Sequence, residues 1–490
     1  METRTLEREA GAGYRDLREW LEVVDSLGQL RVVRGADWNL ELGTITELNT
    51  RRRESPALLF DDIAGYPSGF RVASTLLCNA TRLSLTLGLP TEYGTRQLVQ
   101  ALRGKPRTWE QLAGEFPPET VESGPIFENV FVGDEVDVLR FPAPKWHQQD
   151  GGRYFGTGCC VITRDPETGL VNVGTYRVMI HDSKTVGLMI SPGKQGNIHL
   201  QKYQALGEPC PVAVVFGEDP ALFVAAGSEV PSGVSEYNYT GAMKGAAVRV
   251  VTGPVTGLPI PADGEIAIEG FVMPGETRPE GPFGEWTGYY ASGERGIPFI
   301  RVQAVYHRND PIILGCPPNR PPHDYTYWRS VVRSAMLQDA VEKAGVPDVR
   351  GVWAHEAGGS RLLLVVSIKQ RYAGHARQAG FVASQCREGA YAGRYVVVVD
   401  EDIDPTNTDD VLWAICTRSD PAGDIDFIRR AWSTALDPMV RPGSEGMFNS
   451  RAIIDACRPW EWLSEFPAVS ESSPELMAKV RAKWQGVLDL

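Results

Sequence analysis

The central part of the chain, from about residue 117 to residue 306, consists of short apolar runs separated by turns rich in glycine and proline. The run at 211–216 reads PVAVVF, and similar runs lie at 159–162, 185–190, 247–251 and 265–272. Runs of this length between such turns are typical of β-strands, and many of them at regular spacing predict a barrel or a sandwich. We therefore expect a β-rich central domain that carries the function.

The part of the chain that precedes this β-rich stretch shows helical periodicity. The pattern predicts helices over 14–27, 39–51, 81–89 and 95–102, and strands at 30–33, 57–60 and 71–73. Alternation of the two kinds of element is typical of α/β domains. Residues 1–116 are therefore predicted to form an N-terminal α/β domain.

The C-terminal side shows the same alternation from residue 324 onwards. The predicted helices cover 327–344, 375–386, 409–416 and 425–435, and the predicted strands cover 361–368 and 394–399. This indicates an α/β domain over 324–490 and leaves 117–323 for the central domain. A last helix at 474–488 carries an apolar stripe, which packs either on its own domain or on a partner subunit; the stripe comprises Leu476, Met477, Val480, Trp484 and Val487.

Length and charge limit the classes of function. A chain of 490 residues is expected to form about three domains. With 49 Lys and Arg against 62 Asp and Glu, the net charge of −13 argues against nucleic acid as a partner and against an anionic membrane surface. No apolar run approaches the ~18 residues of a membrane span, and the charged N-terminus does not resemble a secretory signal. We expect a cytoplasmic protein.

The stretch Glu280-Gly-Pro-Phe-Gly-Glu285 places two carboxylates on either side of a proline and two glycines. Proline and glycine oppose both a regular helix and a regular strand, so a tight turn is predicted. Such a turn can direct both carboxylates at one point. Two carboxyl groups of different pKa are a common device for general acid and base catalysis, although a surface loop can also be acidic by chance.

Four further segments of the central domain carry residues suited to a binding site. They are the glycine-rich 149–157, the segment Asn172-Val-Gly-Thr-Tyr-Arg177, the segment 193–199 ending in His199, and Pro231-Ser-Gly-Val-Ser-Glu236. In a regular strand, Asn172 and Tyr176 would face one side and Arg177 the other, unless a bulge intervenes. Arg177 is either an ion-pair partner or a functional cation. His199, expected in a loop, is either a hydrogen-bonded histidine or a ligand.

Taken together with the carboxylate turn, these segments resemble the UbiD family of decarboxylases, which use prenylated flavin mononucleotide (prenylated FMN). The order and spacing of Asn172, Arg177, Glu236 and the 280–285 turn match the family, as do the segments 396–404 and 413–421 near the C-terminus. The resemblance implies an α+β multidomain fold. In that fold a central split β-barrel, which binds the flavin, is flanked by α/β N- and C-terminal domains.

The resemblance also implies catalytic roles for Arg177, Glu280 and Glu285. Arg177 would hold the substrate carboxylate and tether Glu280, because a guanidinium offers a fork of donors and stays charged. Glu285 would return a proton after carbon dioxide leaves, and burial would raise its pKa for that purpose. The implied activity is a reversible, non-oxidative decarboxylation.

Cofactor and metal contacts are implied in the same way. Asn172, His199 and Glu236 would hold manganese or magnesium, which suits their oxygen-rich donor set. Potassium would be bound by the backbone carbonyls of Val173, Ala225, Ala226 and Ser228. Further residues expected at the cofactor are Thr157, Thr175, Tyr176, Gly227 and Arg394. Arg394 stands where relatives often have lysine, and a basic residue there could meet the flavin phosphate.

The family further implies dependence on a prenyl-flavin synthase for the cofactor, and a homo-oligomer built from dimers whose terminal helix crosses to a neighbouring subunit. For the substrate pocket, the resemblance and the sequence point to Trp286, His323 and Tyr325. These side chains indicate a flat aromatic or heteroaromatic acid, from a pyrrole or furan acid to a fused tricycle of the phenazine type.

Four alternatives remain at this stage. A flavin oxidoreductase on a split barrel would need no Glu-Arg-Glu network, and no Gly-x-Gly-x-x-Gly segment supports a dinucleotide site. A decarboxylase of α,β-unsaturated, acrylic-type acids would belong to the same family. A metallohydrolase would use Asn172, His199 and Glu236 without flavin. A non-catalytic member would not need Arg177, Glu280 and Glu285.

Overall fold

The structure of the chain is a computed structural model that describes residues 13–52, 54–441, 443 and 446–488. It has the three-part organisation expected from the sequence, with α/β regions on both sides of a β-rich centre. No helix within the described residues is long and apolar enough to cross a membrane.

The N-terminal region packs helices against a small sheet. Its helices are α1 (Leu17–Ser26), α2 (Glu41–Thr50), α3 (Ala80–Thr86), α4 (Thr95–Leu102) and α5 (Lys105–Leu112), and its strands are β1 (Leu30–Arg34), β2 (Ala57–Asp61) and β3 (Arg71–Ser74). Asp16 caps α1 by accepting a hydrogen bond from the backbone N–H of Glu19 at 3.0 Å. The predicted apolar face of α1 is buried, including Leu17 and Trp20.

The central region is built almost entirely from antiparallel strands. They are β4 (Glu119–Thr120), β5 (Asn129–Val132), β6 (Arg153–Gly156), β7 (Cys159–Arg164), β8 (Val171–Gly174), β9 (Arg177–Asp182), β10 (Thr185–Met189), β11 (Cys210–Phe216), β12 (Arg249–Thr252), β13 (Pro259–Pro261), β14 (Ile266–Val272), β15 (Arg278–Glu280), β16 (Arg295–Ile297), β17 (Phe299–His307) and β18 (Ile312–Gly315). The large sheet has the order β6-β9-β10-β17-β14-β11-β7-β8, and β5 pairs with β17. The sheet curls around a core in which the rings of Phe155 and Phe216 stack 3.7 Å apart.

The last strand of this series belongs to a different sheet. β18 pairs in parallel with β3 and so completes the order β1-β2-β3-β18 in the N-terminal region. The chain therefore returns to the N-terminal sheet before it enters the C-terminal region. β18 thus lies within the predicted central domain, 117–323, but belongs to the N-terminal sheet.

Three helices interrupt the central strands where the sequence analysis predicted none. They are α6 (Gln195–Leu206), α7 (Pro220–Gly227) and α8 (Glu236–Lys244). The loop expected around His199 is wrong, because His199 lies on α6. α7 was missed because it is apolar on every side and shows no helical period, although Asp219 followed by proline is a helix-start signal. Ser235 is the helix-start signal for α8, because its side chain accepts a hydrogen bond from the backbone N–H of Tyr237.

The C-terminal region surrounds a mixed sheet with helices. The helices are α9 (Asp324–Lys343), α10 (His375–Gln385), α11 (Arg387–Ala390), α12 (Thr408–Arg418) and α13 (Pro474–Leu488), and the strands are β19 (Val349–Ala354), β20 (Leu363–Ile368), β21 (Tyr395–Asp400), β22 (Ile425–Trp432) and β23 (Phe448–Ala456). The sheet order is β19-β20-β21-β23-β22, and the inner pairs β20–β21 and β21–β23 are parallel.

The helix predicted over 425–435 is wrong, because β22 occupies this segment. β22 pairs antiparallel with β23 from Ile425 to Trp432, with a register shift between Ile428 and Ala431. The shift adds residues on one strand, and this blurs the two-residue period that would have identified a strand. Pairing with β23 and the aromatic, β-branched composition outweigh the apparent helical spacing.

The apolar stripe of α13 faces solvent within this chain. Leu476 is 50% exposed and Trp484 is 41% exposed. Of the two interpretations left open by the sequence, packing on the helix's own domain is therefore wrong. Docking on a partner subunit stays a prediction.

Candidate active site

Glu280 is the last residue of β15, and a sharp turn, as predicted, leads from it to Glu285. Gly281 has φ 91°, a conformation that favours glycine. The glycine-rich segment before β6 packs on this turn, where Gly151 donates a hydrogen bond to the carbonyl of Pro282 at 2.9 Å. A Cβ atom at Gly151 would lie 2.0 Å from the carbonyl oxygen of Gly281, so only glycine fits there.

Arg177, the first residue of β9, joins both carboxylates. Its Nε and Nη2 donate to the two oxygens of Glu280 at 2.7 and 2.8 Å, while Nη1 donates to Oε1 of Glu285 at 3.1 Å. Tyr154 on β6 also donates to Glu280, at 3.0 Å. The Glu280 side chain is 1% exposed, against 16% for that of Glu285. One guanidinium thus holds one carboxylate firmly and a second one through a single bond.

The electrostatics of these groups differ. Burial raises the pKa of Glu285 above its ordinary value, although the charge of Arg177 acts in the opposite direction. Burial works against the charge of Arg177, but hydrogen bonds and charge from Glu280, together with the charge of Glu285, raise its pKa. Burial and the neighbouring Glu280 raise the pKa of Tyr154, so its hydroxyl stays a donor. The arrangement can hold an anion at Arg177 and a proton on Glu285.

Two of the three predicted metal ligands lie close together. Glu236, the first residue of α8, accepts a hydrogen bond through Oε2 from the backbone N–H of Val173 at 2.8 Å. Asn172, the neighbour of Val173 on β8, is buried and donates to the hydroxyl of Tyr176 at 3.4 Å. Burial raises the pKa of Glu236 to about 7. A hard cation would fit these oxygens and would favour the ionised carboxylate.

His199, the third predicted ligand, lies on α6 next to β7. Its Nδ1 lies 2.9 Å from Oγ1 of Thr163, and its Nε2 lies 3.8 Å from Oδ2 of Asp165. Burial lowers the pKa of His199. Within the described ranges no group of three His, Cys, Asp or Glu side chains could hold a metal ion. Thr163 pairs with Asn172 across β7 and β8, so His199 lies beside the strand that carries Asn172, and its role as a third ligand next to Asn172 and Glu236 stays a prediction.

Of the carbonyls predicted to bind potassium, those of Ala225, Ala226 and Ser228 lie at the C-terminal end of α7, and that of Val173 lies on β8. The carbonyl of Ala226 accepts from the backbone N–H of Thr175 at 3.3 Å, and that of Ala225 accepts from Ser228 at 3.0 Å. These bonds fasten the end of α7 to the chain between β8 and β9. Tyr176 follows there, and its ring lies so close to Gly174 that a Cβ at this glycine would be 2.3 Å away.

Further predicted cofactor residues lie around the start of α9. Thr157 accepts a hydrogen bond from the backbone N–H of Cys316 at 2.8 Å, and Tyr325 donates to the carbonyl of Thr157 at 3.3 Å. Gly227 packs on Trp328, where a Cβ would lie 2.9 Å from the indole. The structure thus brings Thr157, Tyr325 and Gly227 to one wall.

Arg394 is engaged elsewhere. Its Nη2 donates to both oxygens of Asp437 at 2.5 and 2.7 Å, and the Asp437 side chain is fully buried. Burial opposes ionisation of Asp437, but its hydrogen bonds, including that from Arg394, lower its pKa. The positive charge expected to meet a phosphate at this position is therefore neutralised by a local partner.

The predicted substrate segment, 315–325, runs along the turn that carries Glu285. A Cβ at Gly284 would lie 3.0 Å from the carbonyl oxygen of Pro318. Trp286 packs on Gly359 of the C-terminal region, with 2.3 Å between its ring and an added Cβ. Burial lowers the pKa of His323 to about 4, so its ring is neutral at pH 7, and neither ring nitrogen has a hydrogen-bond partner within the described residues.

Asn319 is a polar residue of this segment that the sequence analysis did not single out. Its side chain is 6% exposed, and neither its amide oxygen nor its amide nitrogen is hydrogen-bonded within the described part of the chain. Buried amides are normally paired, so an unpaired one indicates an external partner. Its position in a proline-rich run, Cys316-Pro-Pro-Asn-Arg-Pro-Pro322, was the available signal.

Comparison with known proteins identifies the family of the chain. Three domain families match the chain in order: the N-terminal domain of 3-octaprenyl-4-hydroxybenzoate carboxy-lyase (UbiD) at 21–102, its Rift-related domain at 119–321 and its C-terminal domain at 326–456. Pyrrole-2-carboxylic acid decarboxylase from Pseudomonas aeruginosa is 36% identical over 427 residues, which cover 84% of each chain.

Solved structures agree over nearly the whole length. The UbiD-class enzyme HmfF from Pelotomaculum thermopropionicum in complex with FMN has a TM-score of 0.82 and 28% identity, covering 94% of this chain and 98% of that one. An evolved dimeric form of HmfF in complex with prenylated FMN has a TM-score of 0.78 and 26% identity over the same shares. With its three domains in the family order, the chain belongs to the UbiD family of prenylated-FMN-dependent carboxy-lyases.

Proposed function

We propose that this protein catalyses the reversible, non-oxidative decarboxylation of an aromatic or heteroaromatic carboxylic acid, with Arg177, Glu280 and Glu285 as its catalytic residues. The observation that carries the proposal is that the guanidinium of Arg177 lies between two carboxylates. It forms two hydrogen bonds with Glu280 and one with Glu285. A carboxylate with a purely structural role needs only one counter-ion. A second carboxyl group at the same guanidinium is useful when a proton is transferred next to the carboxylate of a bound substrate.

Arg177 binds the carboxylate of the substrate and positions it for loss of carbon dioxide. Glu280 keeps the guanidinium in place through two hydrogen bonds, and Tyr154 holds Glu280. A guanidinium fixed in this way is preorganised, so little of the binding free energy is lost in ordering it.

Glu285 donates the proton that replaces carbon dioxide. It is held by a single hydrogen bond of 3.1 Å, and burial favours its protonated form. In the reverse direction the same carboxylate accepts the proton of the ring carbon, as microscopic reversibility requires. When bound, prenylated FMN supplies the electron sink for the charge that decarboxylation leaves on the ring.

Asn172, His199 and Glu236 would hold a manganese or magnesium ion next to the cofactor. The carbonyls at the end of α7, together with that of Val173, would hold a potassium ion. Oxygen donors suit these cations. Thr157, Thr175 and Tyr176 would contact the cofactor directly. The hydrogen bonds from Tyr325 to Thr157 and from Thr175 to Ala226 support this, because they fix these residues in neighbouring parts of one wall.

The substrate would be a flat ring with a polar atom that meets Asn319 or His323. The unpaired amide of Asn319 and the unpaired ring nitrogens of His323 support a heteroaromatic ring, and Trp286 would form an aromatic wall. The related decarboxylase that acts on pyrrole-2-carboxylic acid supports a pyrrole-type acid in particular. The proposal also includes a phenazine-type acid, which has the largest ring system among the candidate substrates.

The enzyme would depend on a prenyl-flavin synthase for its cofactor and would assemble as a homo-oligomer built from dimers. The exposed apolar stripe of α13 supports the assembly, because an unpaired stripe of this kind is costly to leave in water. Size-exclusion chromatography with light scattering tests it directly.

The decisive experiment is a screen for carbon dioxide release by protein co-produced with a prenyl-flavin synthase. The acids would be pyrrole-2-carboxylate, furan-2-carboxylate, 4-hydroxybenzoate, phenazine-1-carboxylate and cinnamate. We expect release from a ring acid, and release from none of them by cofactor-loaded protein would contradict the proposal. Release from cinnamate alone would favour the acrylic-acid alternative, and flavin reduction by NADH would favour the oxidoreductase alternative.

A further inference from the structure

The segment 282–290, which carries Glu285, is fastened at both ends to two neighbouring residues of the central region. Before Glu285, the carbonyl of Pro282 accepts a hydrogen bond from the backbone N–H of Gly151 at 2.9 Å. After it, the hydroxyl of Tyr290 donates to Oδ1 of Asp150 at 3.0 Å. We call the pair of Tyr290 and Asp150 the clamp. The segment between the two bonds is therefore a closed loop with Glu285 inside it.

The Asp150 side of the clamp is firmly held. Its side chain is buried, and Oδ2 accepts a hydrogen bond from the backbone N–H of His147 at 2.9 Å. Oδ1 is left for Tyr290, and a buried carboxylate is stabilised by each hydrogen bond that it accepts. Burial and the neighbouring Asp150 raise the pKa of Tyr290, so its hydroxyl stays a donor. Tyr290 is 36% exposed, so this bond rather than packing fixes the position of its side chain.

The backbone transmits the position of the clamp to Glu285. The backbone N–H of Glu285 donates to the carbonyl of Tyr289 at 3.0 Å, and the N–H of Gly288 donates to the carbonyl of Glu285 at 2.8 Å. Tyr289 directly precedes Tyr290 in the chain. A shift of Tyr290 would therefore move the acceptor of the Glu285 N–H, and the carboxyl group would move with its backbone.

The side chain of Glu285 has few other restraints. Its hydrogen bond to Arg177 is a single one of 3.1 Å. The residues that follow it contact the C-terminal region instead of the barrel: Trp286 packs on that region, and Oγ1 of Thr287 donates to the carbonyl of Leu436 at 3.5 Å. The segment thus borders two regions of the protein, and the clamp ties it to the one that carries Arg177.

We propose that Tyr290 and Asp150 are positioning residues that hold the carboxyl group of Glu285 at Arg177 for proton transfer. The inference rests on the proposed function, in which Glu285 donates the proton that replaces carbon dioxide. Transfer of a proton requires the donor within hydrogen-bond reach of the acceptor atom, and a misplacement of about 1 Å can cost about 10²-fold in rate. The clamp acts through Glu285, because its own bond joins Tyr290 to Asp150.

The first test is the steady-state kinetics of Tyr290→Phe, which removes the hydroxyl and keeps the ring. We expect kcat to fall about tenfold and KM to stay within about twofold, because Arg177 still binds the substrate carboxylate. Tyr306→Phe is the matched control. Tyr306 also donates to a buried carboxylate of the central sheet, Oε2 of Glu269 at 2.7 Å, but far along the chain from the turn, so its variant should keep kcat. In enzyme that already carries Glu285→Gln, Tyr290→Phe should change turnover less than about twofold.

The second test needs no turnover. Hydrogen–deuterium exchange of cofactor-free protein, followed by mass spectrometry of a peptide covering 283–290, reports on the N–H groups of Glu285 and Gly288. Exchange should become about tenfold faster in Tyr290→Phe and stay unchanged in Tyr306→Phe.

The two tests separate the clamp from the proposed function. Unchanged exchange in Tyr290→Phe, an equal fall of kcat in Tyr306→Phe, or a further fall of about tenfold in the Glu285→Gln background would overturn the clamp. Faster exchange in Tyr290→Phe of a protein that decarboxylates no acid would support the clamp and count against the proposed function alone.

Discussion

Glu285 and Glu236 are both buried carboxyls whose pKa is raised by burial, yet they stand in opposite surroundings. Glu285 faces the guanidinium of Arg177 at 3.1 Å, whereas Glu236 faces the backbone N–H of Val173 at 2.8 Å. The first carboxyl has its counter-ion built into the protein and is suited to hold or release a proton. The second lacks a cationic partner among its contacts and is suited to receive a metal ion.

The largest effect should come from removing the cation at the first carboxyl. Arg177→Gln is expected to lower kcat/KM by about 10³-fold, because the group that positions the substrate carboxylate is lost. It should also lower the free energy of unfolding by about 3–5 kcal/mol, since Glu280 is left buried without a counter-ion. Steady-state kinetics and denaturant unfolding measure the two effects.

Arg278→Gln on β15 is the matched control for Arg177→Gln. Arg278 pairs with Asp182 and both side chains are well exposed, so the variant should cost less than about 1 kcal/mol and leave turnover intact. If Arg177→Gln behaved like Arg278→Gln, the site would not be built around a buried cation.

The second prediction concerns the pH dependence of turnover. A proton donor works only in its protonated form, and burial raises the pKa of Glu285 above the ordinary value of about 4.3. Activity should therefore persist above that value and be lost as pH rises through the raised pKa, with kcat falling about tenfold per pH unit. A profile of kcat from pH 5 to 9 on cofactor-loaded enzyme measures it, and a flat profile would contradict the role of Glu285.

Asn319 extends the comparison, because its buried amide, like the carboxylate of Glu236, is expected to bind a group that the protein itself does not supply. Asn319→Leu should reduce the preference for a ring acid with an N–H or ring nitrogen over its carbocyclic analogue by about 10- to 100-fold. The variant should be as stable as the wild type or more so, since it removes an unpaired buried amide. Loss of stability without loss of preference would show a structural role.

The smallest effect is expected at His199. Because Glu236 would supply a charged oxygen and His199 a neutral nitrogen, Glu236→Gln should weaken Mn²⁺ binding about tenfold or more and His199→Gln should weaken it less. Calorimetric titration of Mn²⁺ in the presence of FMN compares the two. Equal losses in both variants would show that the charge of Glu236 does not dominate metal binding and would remove the contrast drawn here between the two carboxyl sites.

Sequence patterns predicted what depends on residues close together in the chain. The turn at 280–285 followed from its proline and glycines, and α4 and β2 from their local apolar spacing. The carboxylates at the two ends of the turn could be expected to converge because few residues separate them. The partner Arg177 came from the family resemblance rather than from spacing.

Features that depend on distant contacts were not predictable in this way. β22 shows helical spacing but is held as a strand by β23. His199 was assigned by its order along the chain, and α6 turns it towards Thr163.

The most direct test of the account is the turnover of Glu285→Gln enzyme loaded with prenylated FMN to the same occupancy as the wild type, as judged from its absorbance spectrum. Glutamine keeps the shape and can still accept the hydrogen bond from Arg177, but it cannot release a carboxyl proton. We predict that kcat falls by about 10²- to 10⁴-fold with cofactor binding unchanged. Turnover within a few-fold of the wild type would contradict the assignment of Glu285 as the proton donor.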